Sequence, residues 1–198
     1  MPQILKDDIR DKILKTALDE FMTKGYVSTT MKEIARRTGT AVGNIYRYFK
    51  SKEELYDAIA LPVHNSINGL FKTLPDNYNL QGIEKKIQSF LDIYKKNKKV
   101  FIMLLENSRN TKFENMIEEI IINFSGVIKR WIDALSGTEM TQEEAIFIKA
   151  FTTAYINGII SIISEPIDEE KKTVRLYEFL VFMKDGLTRK YKEDNNTI

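Results

Sequence analysis

The chain has 198 residues, enough for one large domain or two small ones, and its 43% hydrophobic content excludes a disordered chain. The formal net charge is only +2, so there is no global polybasic character. The absence of cysteine excludes a disulfide scaffold, a thiol nucleophile and any Cys-ligated zinc or iron–sulfur centre. The opening residues, MPQILKDDIRDK, are charged almost at once and do not read as an apolar signal segment. The longest apolar runs, such as Val100 to Leu105, fall far short of the roughly 20 residues that span a bilayer. A soluble, cytoplasmic protein is expected.

A first helix is predicted near Asp7 to Lys24, because Ile9, Ile13, Ala17 and Phe21 recur every four residues and Gly25 stops the run. Thr30 with Glu33 reads as a capping box opening a second helix that turns Ile34 and Ala35 inward. A turn is expected at Thr38-Gly39-Thr40. Beyond it, Ala41, Ile45 and Phe49 share one face at about 100° per residue. Gly43 and Arg47 then point the opposite way, flanked by Val42, Asn44 and Tyr46. Such a helix shows polar, aromatic and glycine residues outward. Glycine lets a partner's backbone approach, arginine can fork onto guanine, and asparagine can pair with adenine. Basic residues gather here (Lys24, Lys32, Arg36, Arg37, Arg47, Lys50, Lys52), whereas the rest of the chain is close to balanced. A local basic face on a nearly neutral protein suits a surface that tracks phosphates.

Ser51 with Glu54 is a second capping pair, opening a fourth helix that Pro62 is expected to kink or interrupt. A domain boundary is placed there, giving residues 1–60 and 61–198. Residues 74–80 read as a loop. Helices are then predicted from Gly82 to Lys96, Val100 to Asn107, Lys112 to Leu135, Thr141 (with Glu144 as capping partner) to Ser164, and Glu169 to Tyr191, followed by a polar tail. No strand alternation exceeds four residues, so an all-α protein is expected.

The run from Thr30 to Leu55 closely resembles the DNA-binding domain of the TetR family of bacterial transcriptional regulators. The matching residues are Ala17, Phe21, Gly25, Thr29, Thr30, Ile34-Ala35, Gly39, Gly43, Ile45-Tyr46, Tyr48-Phe49 and Ser51-Lys52-Glu53, in order and without a gap. The resemblance covers roughly residues 8 to 62. It implies an N-terminal three-helix helix-turn-helix domain followed by a C-terminal helical bundle for ligand binding and dimerisation. It also implies that Tyr46, Tyr48 and Lys52 contact phosphates, and that Thr30 both caps and reaches one. For Arg37, a phosphate contact and simple solvent exposure both stay open. The family pattern has an apolar residue at Thr40 and a capping hydroxyl at Ala41. Alanine is a poor N-cap, costing about 1 kcal/mol relative to serine. Thr40 is therefore expected to cap instead, starting the helix one residue early. The DNA-reading set is Thr30, Arg37, Val42, Gly43, Asn44, Tyr46, Arg47, Tyr48 and Lys52.

A second cluster is aromatic and methionine-rich: Phe90, Tyr94, Phe101, Met103, Phe113, Met116, Phe124, Trp131, Phe147 and Tyr155. The resemblance implies a small-molecule pocket lined by such residues, with Asn157 as a polar contact, suited to an apolar effector. Packing as plain bundle core is the competing reading. The only histidine, His64, has no metal-ligand spacing around it, and no cofactor or catalytic motif occurs. Ala150, Ala154, Gly158 and Ser161 place small residues at helical spacing, and Tyr177, Leu180, Val181 and Leu187 give the last helix an apolar stripe. In the family the corresponding helices form a dimer interface. The expectation is a homodimeric repressor, bound to double-stranded operator DNA and released by a small apolar effector. Two alternatives remain: a regulator of the same fold with no effector, and a helical carrier or enzyme with a vestigial motif.

Overall fold

The computed structural model describes residues 3–72, 80–136 and 139–193, and the expected 74–79 loop, Gly137 and the polar tail lie outside them. Among the described residues the chain is all-α, with eight helices: α1 (Gln3–Ser28), α2 (Met31–Thr38), α3 (Val42–Tyr48), α4 (Lys52–Lys72), α5 (Leu80–Glu106), α6 (Met116–Ser136), α7 (Gln142–Ser164) and α8 (Glu169–Glu193). They form two compact units, one of residues 1–65 with 97–115, the other of 66–96 with 116–198.

In the first unit the four-residue stripe of α1 does what its spacing predicts. Ile13, Ala17 and Phe21 are fully buried. Large apolar side chains so placed contribute about 1.5–3 kcal/mol each. The regular helix ends at Lys24, where Gly25 is expected to stop it. Gly25 adopts φ 74°, ψ 167°, a kink after which one further helical turn carries the chain to Ser28. Thr30 caps α2, its hydroxyl accepting the Glu33 amide at 3.2 Å. Gly39 ends α2 in the left-handed region (φ 73°), which glycine adopts without a Cβ penalty, and the Thr40 amide returns to the Ala35 carbonyl at 3.0 Å. Phe21, Tyr26 and Tyr56 meet edge-on or tilted, with Phe113 against Tyr56 and His64 against Phe113 at 5.0 Å. The lone histidine is thus a packing residue. No metal-holding cluster of His, Asp or Glu occurs among the described residues.

Of two expected breaks, one is corrected and one is found. α4 runs on through Pro62, because Ile59, Ala60, Val63 and Ile67 are buried on both sides of it and their packing outweighs the missing backbone donor. The helices predicted at 82–96 and 100–107 do meet at a break: α5 is two helical stretches joined across a kink at Asn97, whose backbone is non-helical (φ −130°, ψ 27°).

In the second unit, α6, α7 and α8 pack in succession. Their core is Ile128, Trp131, Ile132, Ile148, Leu187 and Tyr191, with Phe124, Met140 and Phe151 against it. α6 starts at Met116 rather than Lys112, after a turn in which Thr111 donates to the Ser108 carbonyl at 2.6 Å. Thr141 and Glu144 form the expected capping box on α7. α7 is long and apolar enough to cross a membrane by length and composition, but it lays Ile148, Thr152, Ile156, Ile159 and Ile163 into this unit's interior. The buried ammonium of Lys172 donates to the Ile163 carbonyl at 2.8 Å and caps the end of α7.

Candidate nucleic-acid interface

α3 is only seven residues long and inserts one side chain, Ile45, into the first unit's core. Phe49, its extended C-cap residue, is 2% exposed and anchors the far end. Everything between faces out. Val42, Gly43, Tyr46 and Arg47 are exposed, and Asn44 and Tyr48 are half-buried. A large apolar side chain such as Val42 (40% exposed) or Tyr46 (49%) gains nothing by facing water. An added Cβ on Gly43 would meet no atom within 4 Å. Nothing in the chain itself therefore requires glycine at that position, although a helical glycine costs about 0.5–1 kcal/mol relative to alanine.

The start of α3 differs from expectation. Ala41 is the N-cap, extended at φ −71°, ψ 144°, with no side-chain capping bond, and it is exposed rather than on the inward face. Thr40 does not cap. Its hydroxyl accepts a hydrogen bond from Asn44 Nδ2 at 2.9 Å, which uses the group that capping would need. That bond also ties down one of the two Asn44 donors.

The cations around α3 are committed unequally. Arg47 is exposed at the centre of the outward face. Lys52 turns back under the domain. Its ammonium donates to the carbonyls of Tyr26 (2.7 Å), Thr29 (2.9 Å) and Val27 (3.3 Å) and stands 4.3 Å from the Tyr26 ring centre. These carbonyls lie in the stretch that leaves α1 for α2, so Lys52 fastens α4 to it. Burial pushes the Lys52 ammonium below its ordinary value. Arg37 pairs with the buried carboxylate of Glu20. Thr30 is exposed, with its hydroxyl already serving Glu33. Arg10, absent from the sequence-based set, lies 5.5 Å from the Phe49 ring centre, beside the end of α3. No motif marks it, because its partner is 39 residues away.

The residues expected to line a ligand pocket are divided between the two units. Met103 and Phe113 belong to the first unit. In the second, Phe90, Tyr94, Met116 and Trp131 are buried as core, while Phe147 (41% exposed) and Asn157 face outward. An aromatic row does form, Phe147–Phe151–Tyr155, with Phe124 and Phe179 against Tyr155. A surface groove shares Phe179 with this cluster and is otherwise lined by Ile162, Glu165, Ile167, Arg175, Glu178 and Phe182. The small-residue stripe is also redistributed. Gly158 sits against Phe179 within the chain, and Leu180 and Leu187 are buried. Ile146 (65% exposed), Val174 (52%) and Phe182 (74%) stand free on α7 and α8.

Comparison with known proteins gives a consistent picture. Residues 13–59 match the model of bacterial regulatory proteins, tetR family. The chain is 26% identical over 116 residues to the biofilm operon icaADBC HTH-type negative transcriptional regulator IcaR of Staphylococcus epidermidis, covering 57% of this chain and 63% of that one. It is 29% identical over 109 residues to the HTH-type transcriptional activator FasR of Mycolicibacterium smegmatis, covering 54% and 50%. The chain thus spans between half and two thirds of the length of these relatives. Among solved structures, a transcriptional regulator from Aquifex aeolicus superposes with a TM-score of 0.60 at 24% identity, over 88% of this chain and 99% of that one. NalD, the secondary repressor of the MexAB-OprM multidrug efflux pump in Pseudomonas aeruginosa, superposes at 0.59 and 16%, over 91% and 98%. At these identities the structural likeness establishes the fold.

Proposed function

Through residues 13–59 the chain belongs to the tetR family of bacterial regulatory proteins, and on that premise we propose that it is a homodimeric cytoplasmic repressor that reads operator DNA with α3. The observation that carries this is the outward face of α3, where Val42, Gly43, Asn44, Tyr46 and Arg47 stand on a helix held by Ile45 and Phe49. Val42, Gly43, Asn44 and Arg47 reach base edges in the major groove, and Thr30, Tyr46 and Tyr48 track the backbone, on a frame that Lys52 fastens. The relative IcaR, named a negative regulator, supports repression as the outcome.

A two-fold dimer is needed to read a palindromic site. The exposed apolar residues Ile146, Val174 and Phe182 on α7 and α8, and the groove that Phe182 helps to line, support a second copy of this chain as the occupant of these helices. The effector is an apolar, aromatic molecule taken up by the second unit. The aromatic row Phe147–Phe151–Tyr155 supports this, since flat rings stack on flat ligands. The effector would favour a dimer whose α3 helices no longer match half-sites about 34–36 Å apart.

The test is selection from a random-sequence duplex pool by the full-length protein. Enrichment of an inverted repeat supports the reading, and failure to enrich any sequence contradicts it. Release of the selected duplex by hydrophobic aromatic compounds, followed by Trp131 fluorescence, then tests the effector.

A further inference from the structure

Four charged side chains fasten α2 to α1 at both its ends. Glu20, on α1, is 1% exposed. Its carboxylate takes the guanidinium of Arg37 from the last turn of α2 on Oε1, and the ammonium of Lys24 stands 3.0 Å from Oε2. That ammonium also reaches Glu33 Oε1, in the first turn of α2, at 2.8 Å. The order Arg37–Glu20–Lys24–Glu33 alternates in sign and links the first turn of the helix to its last. The Glu20 backbone joins in, its carbonyl accepting the Thr29 hydroxyl at 3.3 Å. Burial pushes the Glu20 carboxyl up, but the Arg37 and Lys24 cations outweigh this and hold it below its ordinary value. A carboxylate this deep is tolerated only with its partners in place, since removing one leaves a buried charge uncompensated.

α2 hands its orientation on. Only Gly39, Thr40 and Ala41 separate it from α3, and the Thr40 amide is bonded to the α2 carbonyl of Ala35. Where α2 is fastened, α3 is aimed. We infer that Glu20 is a positioning residue for sequence recognition, and that Arg37 serves it by gripping Glu20 rather than a DNA phosphate. This rests on the DNA-reading assignment of α3. Arg37 is exposed, as one of the two readings left open by the sequence has it, but its guanidinium is paired with Glu20 rather than idle.

The experiment compares wild type, Arg37→Gln, Glu20→Gln and the double variant. Each is titrated against a duplex selected by the wild-type protein and against a scrambled duplex, from low to moderate salt. Circular dichroism verifies folding. Arg37→Gln is expected to lose at least tenfold in affinity for the selected duplex and less than twofold for the scrambled one. Its salt slope on the selected duplex stays that of wild type, because no phosphate contact is lost. Glu20→Gln shows the same split, and the double variant loses no more than the worse single one. A slope reduced by about 0.9, with equal loss on both duplexes, would mean that Arg37 neutralises a phosphate and would overturn the inference. So would affinities unchanged on both. If Glu20→Gln does not fold, Arg37→Gln decides alone, since Arg37 is exposed at 44% of its side chain. A wild-type protein that selects no sequence fails at the first step, and that failure belongs to the DNA-binding reading itself.

Discussion

Gly158 of α7 lies under the ring of Phe179 of α8, so close that a methyl group on the glycine would overlap it. The glycine therefore sets how these two helices meet inside one chain. Gly158→Ala is expected to lower stability by about 1–3 kcal/mol, as overpacking does. Urea unfolding reads this directly, and a variant as stable as wild type would show that the ring moves aside freely.

The residue to alter for assembly is Phe182, which is 74% exposed. Phe182→Asp removes nothing from the chain's own core, so the fold should persist while the dimer is lost. Sedimentation at micromolar concentration should give a dimer for wild type and a monomer for the variant. A monomeric wild type would remove the dimer from the account.

Gly43→Ala separates folding from reading. The space for its Cβ is empty in the free chain, so alanine should stabilise the fold by about 0.5–1 kcal/mol. The same methyl group fills room reserved for DNA, so affinity for the selected duplex should fall. Improved stability with unchanged affinity would mean that this stretch of α3 does not approach a partner.

Lys52→Ala should cost stability as well as affinity, because the ammonium serves three carbonyls at the exit of α1. Hydrogen bonds from a charged group contribute about 1.5–3 kcal/mol. An unfolding free energy equal to wild type would show that solvent replaces these bonds without loss.

Acid should loosen the first unit through Glu20. Its carboxyl is held below the ordinary 4.5 in the folded chain, so the unfolded chain binds the proton more readily. The stabilisation is complete above pH 4.5 and is lost as pH falls through the folded value. The acid limb of a plot of melting temperature against pH should therefore be shallower in Glu20→Gln than in wild type. Identical slopes would place the acid sensitivity elsewhere.

What was legible in the sequence was local. Thr30 with Glu33, Gly39, and Thr141 with Glu144 announce helix ends three residues at a time, and the helices begin and end there. The stripe Ile13, Ala17 and Phe21 is legible because burial follows the helical repeat. What was not legible depends on partners far along the chain. Arg37 finds Glu20 seventeen residues away, and Lys52 finds Tyr26 twenty-six away. Basic residues near a DNA-reading helix look alike until the fold shows which are already engaged. The aromatic residues posed the same difficulty. Phe113 and Trp131 are both aromatic but pack in different units.

The central claim, that α3 meets DNA, is tested most directly by hydrogen exchange of the full-length protein with and without its selected duplex. The account predicts slowed exchange over Val42–Tyr48 and at Thr30 and Lys52. Protection that spares α3 and falls only on residues 116–193 would contradict it.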